Sequence, residues 1–500
     1  MMDKKPQIPV LVGVGQLVNR APDGCCDPLD YMVECARLAE QDTGVGDLLS
    51  KIDSLSMVNV ISRNYTNEPL QLAEMLQASP REILTTPIGA SAPQSLTNRL
   101  CQRIAEGESE IGLICGAEAF YSSKNGPPET FEYNSEGLAD AITLYGEARV
   151  ASTDEERKYG LTMPSNIYPL FANAYRKAQG LSLEEGMQQN AQISAQYSAV
   201  AAGNEYAWFR DGKSAQEIAA VTETNRMINY PYTKFMKAIM NVDQAAALLV
   251  MSEERADALG VSQQKRVYLI GSGEAYEKWF VSDRVDYHSA PGLKVALDNA
   301  FEEAGLTRDQ IDMWDLYNCF PIAALLAKDA LGLSESTVPT ITGGLPYFGG
   351  AGNNYCLHSI CSMVEGIRKA PHKKGLVHSL SWYMSKYAVG IYSGVRPDKF
   401  ERRNTDEYAK NIDEQFPNVS VLERANGVFE IETYTVAMTR DGRPESAVII
   451  ARNDRQQRIF AYNNRDVALL EFMSTCEPIG KKAQVKFDDA TAMNQIVAIL

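Results

Sequence analysis

Ala39-Glu-Gln-Asp-Thr-Gly44, followed by Lys51-Ile52-Asp53-Ser-Leu55-Ser-Met57-Val58, is echoed downstream by Ala300-Phe-Glu-Glu-Ala-Gly305, followed by Gln310-Ile311-Asp312-Met-Trp314-Asp-Leu316-Tyr317. In both copies a helix-type pattern stops at a Gly, a polar turn follows, and Ile-Asp leads an apolar strand. The copies are offset by 261 and 259 residues at their two parts, which is one two-residue indel. A second echo keeps the same order. Thr86-Pro-Ile-Gly89-Ala-Ser opens a helix that ends Ile104-Ala-Glu-Gly107, and the run Thr342-Gly343-Gly344 to Gly349-Gly350-Ala-Gly352-Asn353-Asn354 opens one that ends Met363-Val-Glu-Gly366. Two echoes in one order predict two α/β halves of common ancestry.

Outward from these stretches, strand and helix patterns alternate. Pro9 to Val14 and Leu55 to Ile61 read as strands, as do Ile111 to Gly116 and Ala245 to Met251. Asp27 to Gln41, Glu68 to Gln77 and Ser95 to Glu106 read as helices, the first stopped by Gly44. Such alternation predicts a covered, largely parallel sheet in each half. Tyr121 to Val242 is long, polar and helix-rich, with Leu181 to Ala201 its clearest helix. It reads as an insertion carried by the first half. After Arg402 the texture changes: Gly427 to Met438 alternates in period two, Asp441-Gly442 marks a hairpin, Ala447 to Ala451 and Arg458 to Tyr462 are further strands, and Asp466 to Met473 is a short helix. The expected domains are residues 1–120 with 243–256, the insertion 121–242, a second half 257–401, and a small OB-like β-barrel at 402–500.

Composition narrows the function. Over 500 residues, 45% are apolar and 22% charged, an ordinary globular balance. A net charge of −16 disfavours a nucleic-acid partner and an acidic membrane surface. The longest apolar run, Ala245 to Met251, falls far short of the roughly 20 residues of a membrane span. Nine cysteines without a regular framework suit a reducing compartment, so the chain is expected in the cytoplasm. No metal-ligand spacing is present, and the only histidines are His288, His358, His372 and His378.

The chemistry-bearing candidates are few. Cys319, in Tyr317-Asn318-Cys319-Phe320-Pro321, falls at the carboxyl end of a strand and just before a helix, where α/β sheets place ligands and where a helix end lowers a thiol's pKa. His378 sits inside a strand, as a catalytic or a satisfied core histidine. The glycines at 343–352 free the backbone before a helix for a ligand, or for a tight turn against the twin half. Cys25, Cys26, Cys35, Cys101, Cys115, Cys356, Cys361 and Cys476 read as packing.

The chain resembles the thiolase superfamily over roughly residues 7–400. The matching stretches are Val10-Leu-Val-Gly-Val-Gly15, Ile104 to Gly107 followed by Cys115-Gly-Ala-Glu118, Asp243 to Val250, Tyr317-Asn-Cys-Phe320, and the Gly-rich run at 343–354. The Asn-Cys-Phe stretch is similar to sterol-carrier-type thiolases, and the added C-terminal β domain to thiolase-like proteins of type 1. The resemblance implies a duplicated five-layered αβαβα fold, a loop domain that holds coenzyme A, and acetyl-CoA acetyltransferase-like acyl transfer in lipid metabolism. It also implies a nucleophilic Cys at the amino end of a buried helix and a Gly-His-Pro turn. Here those positions hold Ala90 and Gly350, and Ser91 beside Ala90 lacks a base. The acid/base strand of the family corresponds to Val377 to Trp382, which offers His378 but no Cys.

Any activity is therefore expected to rest on acid/base chemistry by Cys319, with Asn318 and His378 as further catalytic candidates. Ala90, Gly343, Gly344, Gly349, Gly350 and Asn353 are expected to meet the thioester, and Lys234 and Lys237 the CoA phosphates or plain solvent. CoA or acyl-CoA is expected as substrate or ligand, with no permanently bound cofactor. The alternatives are a non-catalytic acyl-CoA-binding module and a scaffold that docks a partner enzyme through the β domain. Thiolases associate through the edge of the first half, space that the added domain can occupy, so both a monomer and a homodimer fit.

Overall fold

The computed structural model describes residues 7–22, 26–123, 139–400, 416 and 419–500; Cys25 lies outside them. Two sheets form the body. The first runs β1 (Pro9–Val18), β8 (Asp243–Ser252), β4 (Ile111–Ala119), β2 (Ser54–Met57), β3 (Glu82–Thr85), β5 (Ile142–Leu144). The second runs β9 (Tyr268–Tyr276), β12 (Lys386–Ser393), β11 (Lys374–Ser381), β10 (Met313–Leu316). The orders β1-β8-β4-β2 and β9-β12-β11-β10 are equivalent, so the duplication read from the repeats is a duplication of topology.

Each sheet is largely parallel in direction, with one strand reversed, β8 in the first and β12 in the second. β4, β2, β3 and β5 are parallel, but β1, β8 and β4 pair antiparallel. In the second sheet β10 and β11 are parallel, while β11, β12 and β9 alternate in direction. The reason is connection length: residues 382–385 are too few for a crossover, so β12 returns beside β11 as a hairpin.

The pair Gly13 and Gly15 in β1 shows why the outer helices sit where they do. A Cβ on either would lie about 2.2 Å or 2.1 Å from the carbonyl oxygens of Ala39 and Cys35, in the helix Pro28–Thr43. In the second half Gly271 and Gly273 of β9 meet the Ala300 and Ala296 carbonyls, in the helix Pro291–Ala304, at 2.2 and 1.9 Å. Both helices close with a left-handed Gly, Gly44 and Gly305, that donates back to the last turn.

Two buried helices, Ala92–Ala105 and Tyr355–Lys369, lie between the sheets and complete five layers. Leu96, Leu100 and Ile104 on one mesh with Ile360, Met363, Val364 and Ile367 on the other. The second of these does not stop at Gly366 as its repeat suggested, but runs on to Lys369. Cys476 is exposed and Cys26 half-buried, so neither is a packed core thiol; Cys35, Cys101, Cys115, Cys356 and Cys361 are buried.

The C-terminal strands β13 (Gly427–Met438), β14 (Pro444–Arg452), β15 (Arg458–Asn463), β16 (Lys482–Asp488) and β17 (Met493–Ile499) close into a barrel. Its ring is β13-β14-β15-β17-β16 and back to β13. Ala447, Ile449 and Ala451 face the barrel core, while Val448, Ile450 and Phe460 pack on the body. Two short strands from the inserted segment, β6 (Met227–Tyr230) and β7 (Tyr232–Thr233), extend this sheet, with β6 pairing β13 beyond the point where β16 leaves it. β13 also grips the helix Pro164–Ala178: the Asn173 amide donates to the Tyr434 carbonyl at 3.0 Å, and the Thr433 hydroxyl donates to the Leu170 carbonyl.

Candidate functional site

Where the amino end of the buried helix Ala92–Ala105 meets the carboxyl ends of β10 and β11, the body holds a half-open cavity of about 300 Å³. Ala90, Cys319 and Gly350 share its wall with Gly89, Gly352, Asn353 and Lys237. The remaining lining is mostly apolar and comes chiefly from Thr162, Met163, Pro164, Ser165 and Tyr168 in the insertion, Tyr317 and Phe320 beside Cys319, and Leu380, Trp382 and Tyr383 at the end of β11, with Ile61, Ile88, Ala238, Met240 and Leu345 completing it. A cavity of this size lies at the lower end of small-molecule pockets, roughly 300–1,000 Å³.

Cys319 sits as the sequence suggested, after β10 and before the helix Pro321–Leu331. Its acidity does not. Burial pushes the thiol up to about 12, and the Tyr168 hydroxyl beside it opposes this only in part. The helix that follows does not lower the thiol, because desolvation outweighs a dipole felt two residues outside the first turn. Burial thus favours the neutral thiol at Cys319 over the thiolate. Tyr168 is held by its own bond to the Trp382 carbonyl at 2.9 Å and by stacking on Phe320 at 4.7 Å.

Among the described residues, none beside position 90 offers the nucleophile that the resemblance led us to expect there. At position 90 stands a methyl group on the wall. The neighbouring Ser91 hydroxyl is buried and lies 2.6 Å from that of Ser381, which also accepts the Ser91 amide at 2.8 Å. Two hydroxyls sharing a proton give neither a base. His378 lies off the cavity wall; its Nδ1 accepts the Tyr317 amide at 3.3 Å and burial lowers its pKa to about 3, leaving it neutral. Asn318 also lies off the wall, fully buried, with neither side-chain atom hydrogen-bonded.

The Gly-rich run is used mainly for protein contacts. A Cβ on Gly344 would strike the Tyr197 ring at 2.4 Å, and one on Gly352 the Glu118 carboxyl at 2.2 Å; both glycines have positive φ. Gly343 and Gly349 likewise lie against Ala201 and Gln244, off the cavity. Asn353 reaches the wall while joining the halves, accepting the Gly89 amide at 2.9 Å and donating to Asn59. Lys234 is exposed and away from the cavity, whereas Lys237 lines it half-buried.

The sequence reading missed Tyr168 and Trp382. Trp382 adopts φ of +53°, a strained conformation for a bulky side chain that clusters at functional sites. The Arg284 guanidinium, donating to the Tyr383 and Met384 carbonyls, fixes that turn. Among the described residues no group of three or more His, Cys, Asp or Glu offers a metal site.

The comparisons fit this geometry. Residues 410–490 match the family model for the thiolase-like protein type 1 additional C-terminal domain. The solved structure of a monomeric SCP2-thiolase like protein type 1 from Mycobacterium smegmatis superposes with a TM-score of 0.85 at 32% identity, covering 99% of this chain and 100% of that one.

The chain belongs to the SCP2-thiolase-like proteins of type 1.

Similarity to curated enzymes is more distant. An acetyl-CoA acetyltransferase of Methanocaldococcus jannaschii is 24% identical over 46% of this chain and 52% of its own length. A benzoylsuccinyl-CoA thiolase subunit, BbsB, of Thauera aromatica is 28% identical over 37% of this chain and 44% of its own. This type 1 chain therefore spans about half the length of the first curated relatives it matches. Among its described residues, no helix is long and apolar enough to cross a membrane.

Proposed function

We propose that this protein binds a coenzyme A thioester without forming an acyl-enzyme, with the acyl group in the cavity between Ala90, Cys319 and Gly350. It is nominally an acetyl-CoA acetyltransferase-like acyltransferase, for groups other than aminoacyl. Any turnover rests on Cys319 as a proton donor. The observation that supports the reading is the cavity itself, which brings Ala90, Cys319 and Gly350 to one wall with a methyl group at position 90 and the Cys319 thiol held neutral by burial. Lys234 and the half-buried Arg226, neither ion-paired among the described residues, suit the CoA phosphates outside it.

The barrel is read as OB-like, since its ring order and the helix Val467–Thr475 between β15 and β16 fit a five-stranded Greek-key barrel. In such barrels the second and third strands carry the ligand face; here that face is β14 and β15, packed on the body. Docking of a partner enzyme through it is accordingly the weaker alternative.

Calorimetric titration of the full chain with CoA, acetyl-CoA and acetoacetyl-CoA tests the proposal, with intact mass and thioester absorbance followed in parallel. Binding of the thioesters with no mass gain is expected, and any slow turnover disappears in Cys319→Ala. A stable acyl adduct, or no binding by any of the three, overturns it.

A further inference from the structure

Among the described residues the cavity wall carries one cation and no carboxylate to neutralise it. Lys237 is the sole basic residue on its wall, and no Asp or Glu lines it. Among the described residues the Lys237 ammonium makes no hydrogen bond and no ion pair. Burial and the neighbouring charges of Arg226 and Lys234, both positive, all work against its charged form. A half-buried lysine in such a position is costly unless something brings an anion.

Its backbone is fixed in place. The Ala238 amide donates to the Cys319 carbonyl at 2.9 Å, the Ile239 amide to the Leu345 carbonyl at 3.3 Å, and the Gly350 amide to the Ile239 carbonyl at 2.8 Å. These bonds tie the Lys237 segment to both Cys319 and the Gly-rich run, so the residue cannot leave the wall without breaking the site.

We infer that the cavity selects an acyl group that carries its own carboxylate, an ω-carboxyacyl thioester, and that Lys237 receives that carboxylate. The inference rests on the CoA-thioester reading above and names the substrate class for it. A carboxylate supplies a charge-assisted hydrogen bond in an otherwise apolar chamber and relieves the repulsion from Arg226 and Lys234. A plain alkyl acyl group of the same length leaves the ammonium facing hydrocarbon. The competing source of negative charge is the phosphate of CoA itself, and the two sources part under one experiment.

Two non-cleavable thioethers, S-(3-carboxypropyl)-CoA and S-butyl-CoA, are titrated into the full chain and into Lys237→Met and Lys237→Gln, with melting curves confirming that each variant folds. The wild-type chain is expected to favour the carboxylated analogue by about tenfold to a hundredfold, the span of a hydrogen bond to a charged group. Both variants should lose that preference, the carboxylated analogue weakening while the butyl analogue binds no more weakly than to the wild-type chain. Equal wild-type affinities overturn the inference. So does a variant that weakens both analogues and free CoA alike, which places a phosphate at Lys237. If neither analogue nor CoA binds the wild-type chain, the CoA reading fails first; if all bind without discrimination, only the present inference fails.

Discussion

Replacing Arg458 by methionine should loosen the barrel and, through it, the cavity. Arg458 is fully buried and makes a bidentate pair with Glu432 at 2.8 and 3.1 Å. Its remaining nitrogen donates to the carbonyls of Ser282 at 2.6 Å and Arg284 at 2.8 Å, and its guanidinium lies 4.9 Å from the Tyr287 ring centre. One side chain on β15 therefore pins the barrel to the second half. Removing one member of a buried pair costs about 3–5 kcal/mol, and here the lower part of that range applies because Glu432 keeps Arg452 at 2.7 Å. Methionine retains most of the stem's packing, so the loss is chiefly polar. A cost of about 3–4 kcal/mol corresponds to barrel amides exchanging with solvent roughly 10²–10³ times faster. Hydrogen exchange followed by mass spectrometry reads this directly. Because β13 is bonded to the helix Pro164–Ala178 and to β6, faster exchange should spread to residues 164–178 and 227–233. Unchanged barrel exchange would refute the pinning role of Arg458, and an effect confined to the barrel would refute its link to the cavity walls.

Ala90→Cys restores a thiol at the helix amino end; acetyl-CoA should then acylate it slowly, visible as an acetyl mass gain, while thiolysis stays negligible because Gly350 supplies no histidine. No mass gain would show that position 90 does not face the thioester carbon. The buried carboxyls of Glu118 and Glu277 are both pushed up to about 7, so their contribution to stability is complete below about 4.5 and is lost as pH rises through 7, about 3 kcal/mol each. Thermal unfolding at pH 6 and pH 8 checks this, the difference being smaller in Glu118→Gln; an equal difference in the variant counts against it. His358 and His378, lowered to about 3, run the opposite way and lose stability as pH falls below 6.5, so their ring resonances should not shift between pH 8 and 5.

The parts of this fold that were legible in the sequence are those set by local chemistry. Gly44 and Gly305 announce helix ends, and the period-two runs of β13 to β15 announce strands, because each signal needs only its neighbours in sequence. The Gly-x-Gly pair of β9 carries the same message as that of β1, yet was not read, since its cause is a helix carbonyl that approaches from elsewhere. β5, β6 and β7 are two to four residues long and exist only through distant partners, so no periodicity marks them. The site divides in the same way. Cys319, Ala90 and Gly350 fall in motifs and were found. Tyr168 and Trp382 reach the cavity by the folding of the insertion and of a hairpin, and the acidity of Cys319 is decided by burial that no linear pattern displays.

The pairing of β6 with β13 joins the last strands of the chain to the segment that leads, through Thr233 and Lys234, into Lys237. Its consequence is mechanical. The barrel does not line the cavity itself, but through β6 it braces the segment that carries Lys237 to its wall, so a change that unsettles the barrel is felt there. Shortened forms ending before Gly427 would thus leave β6 and β7 without their partner strand and the Lys237 segment without that brace.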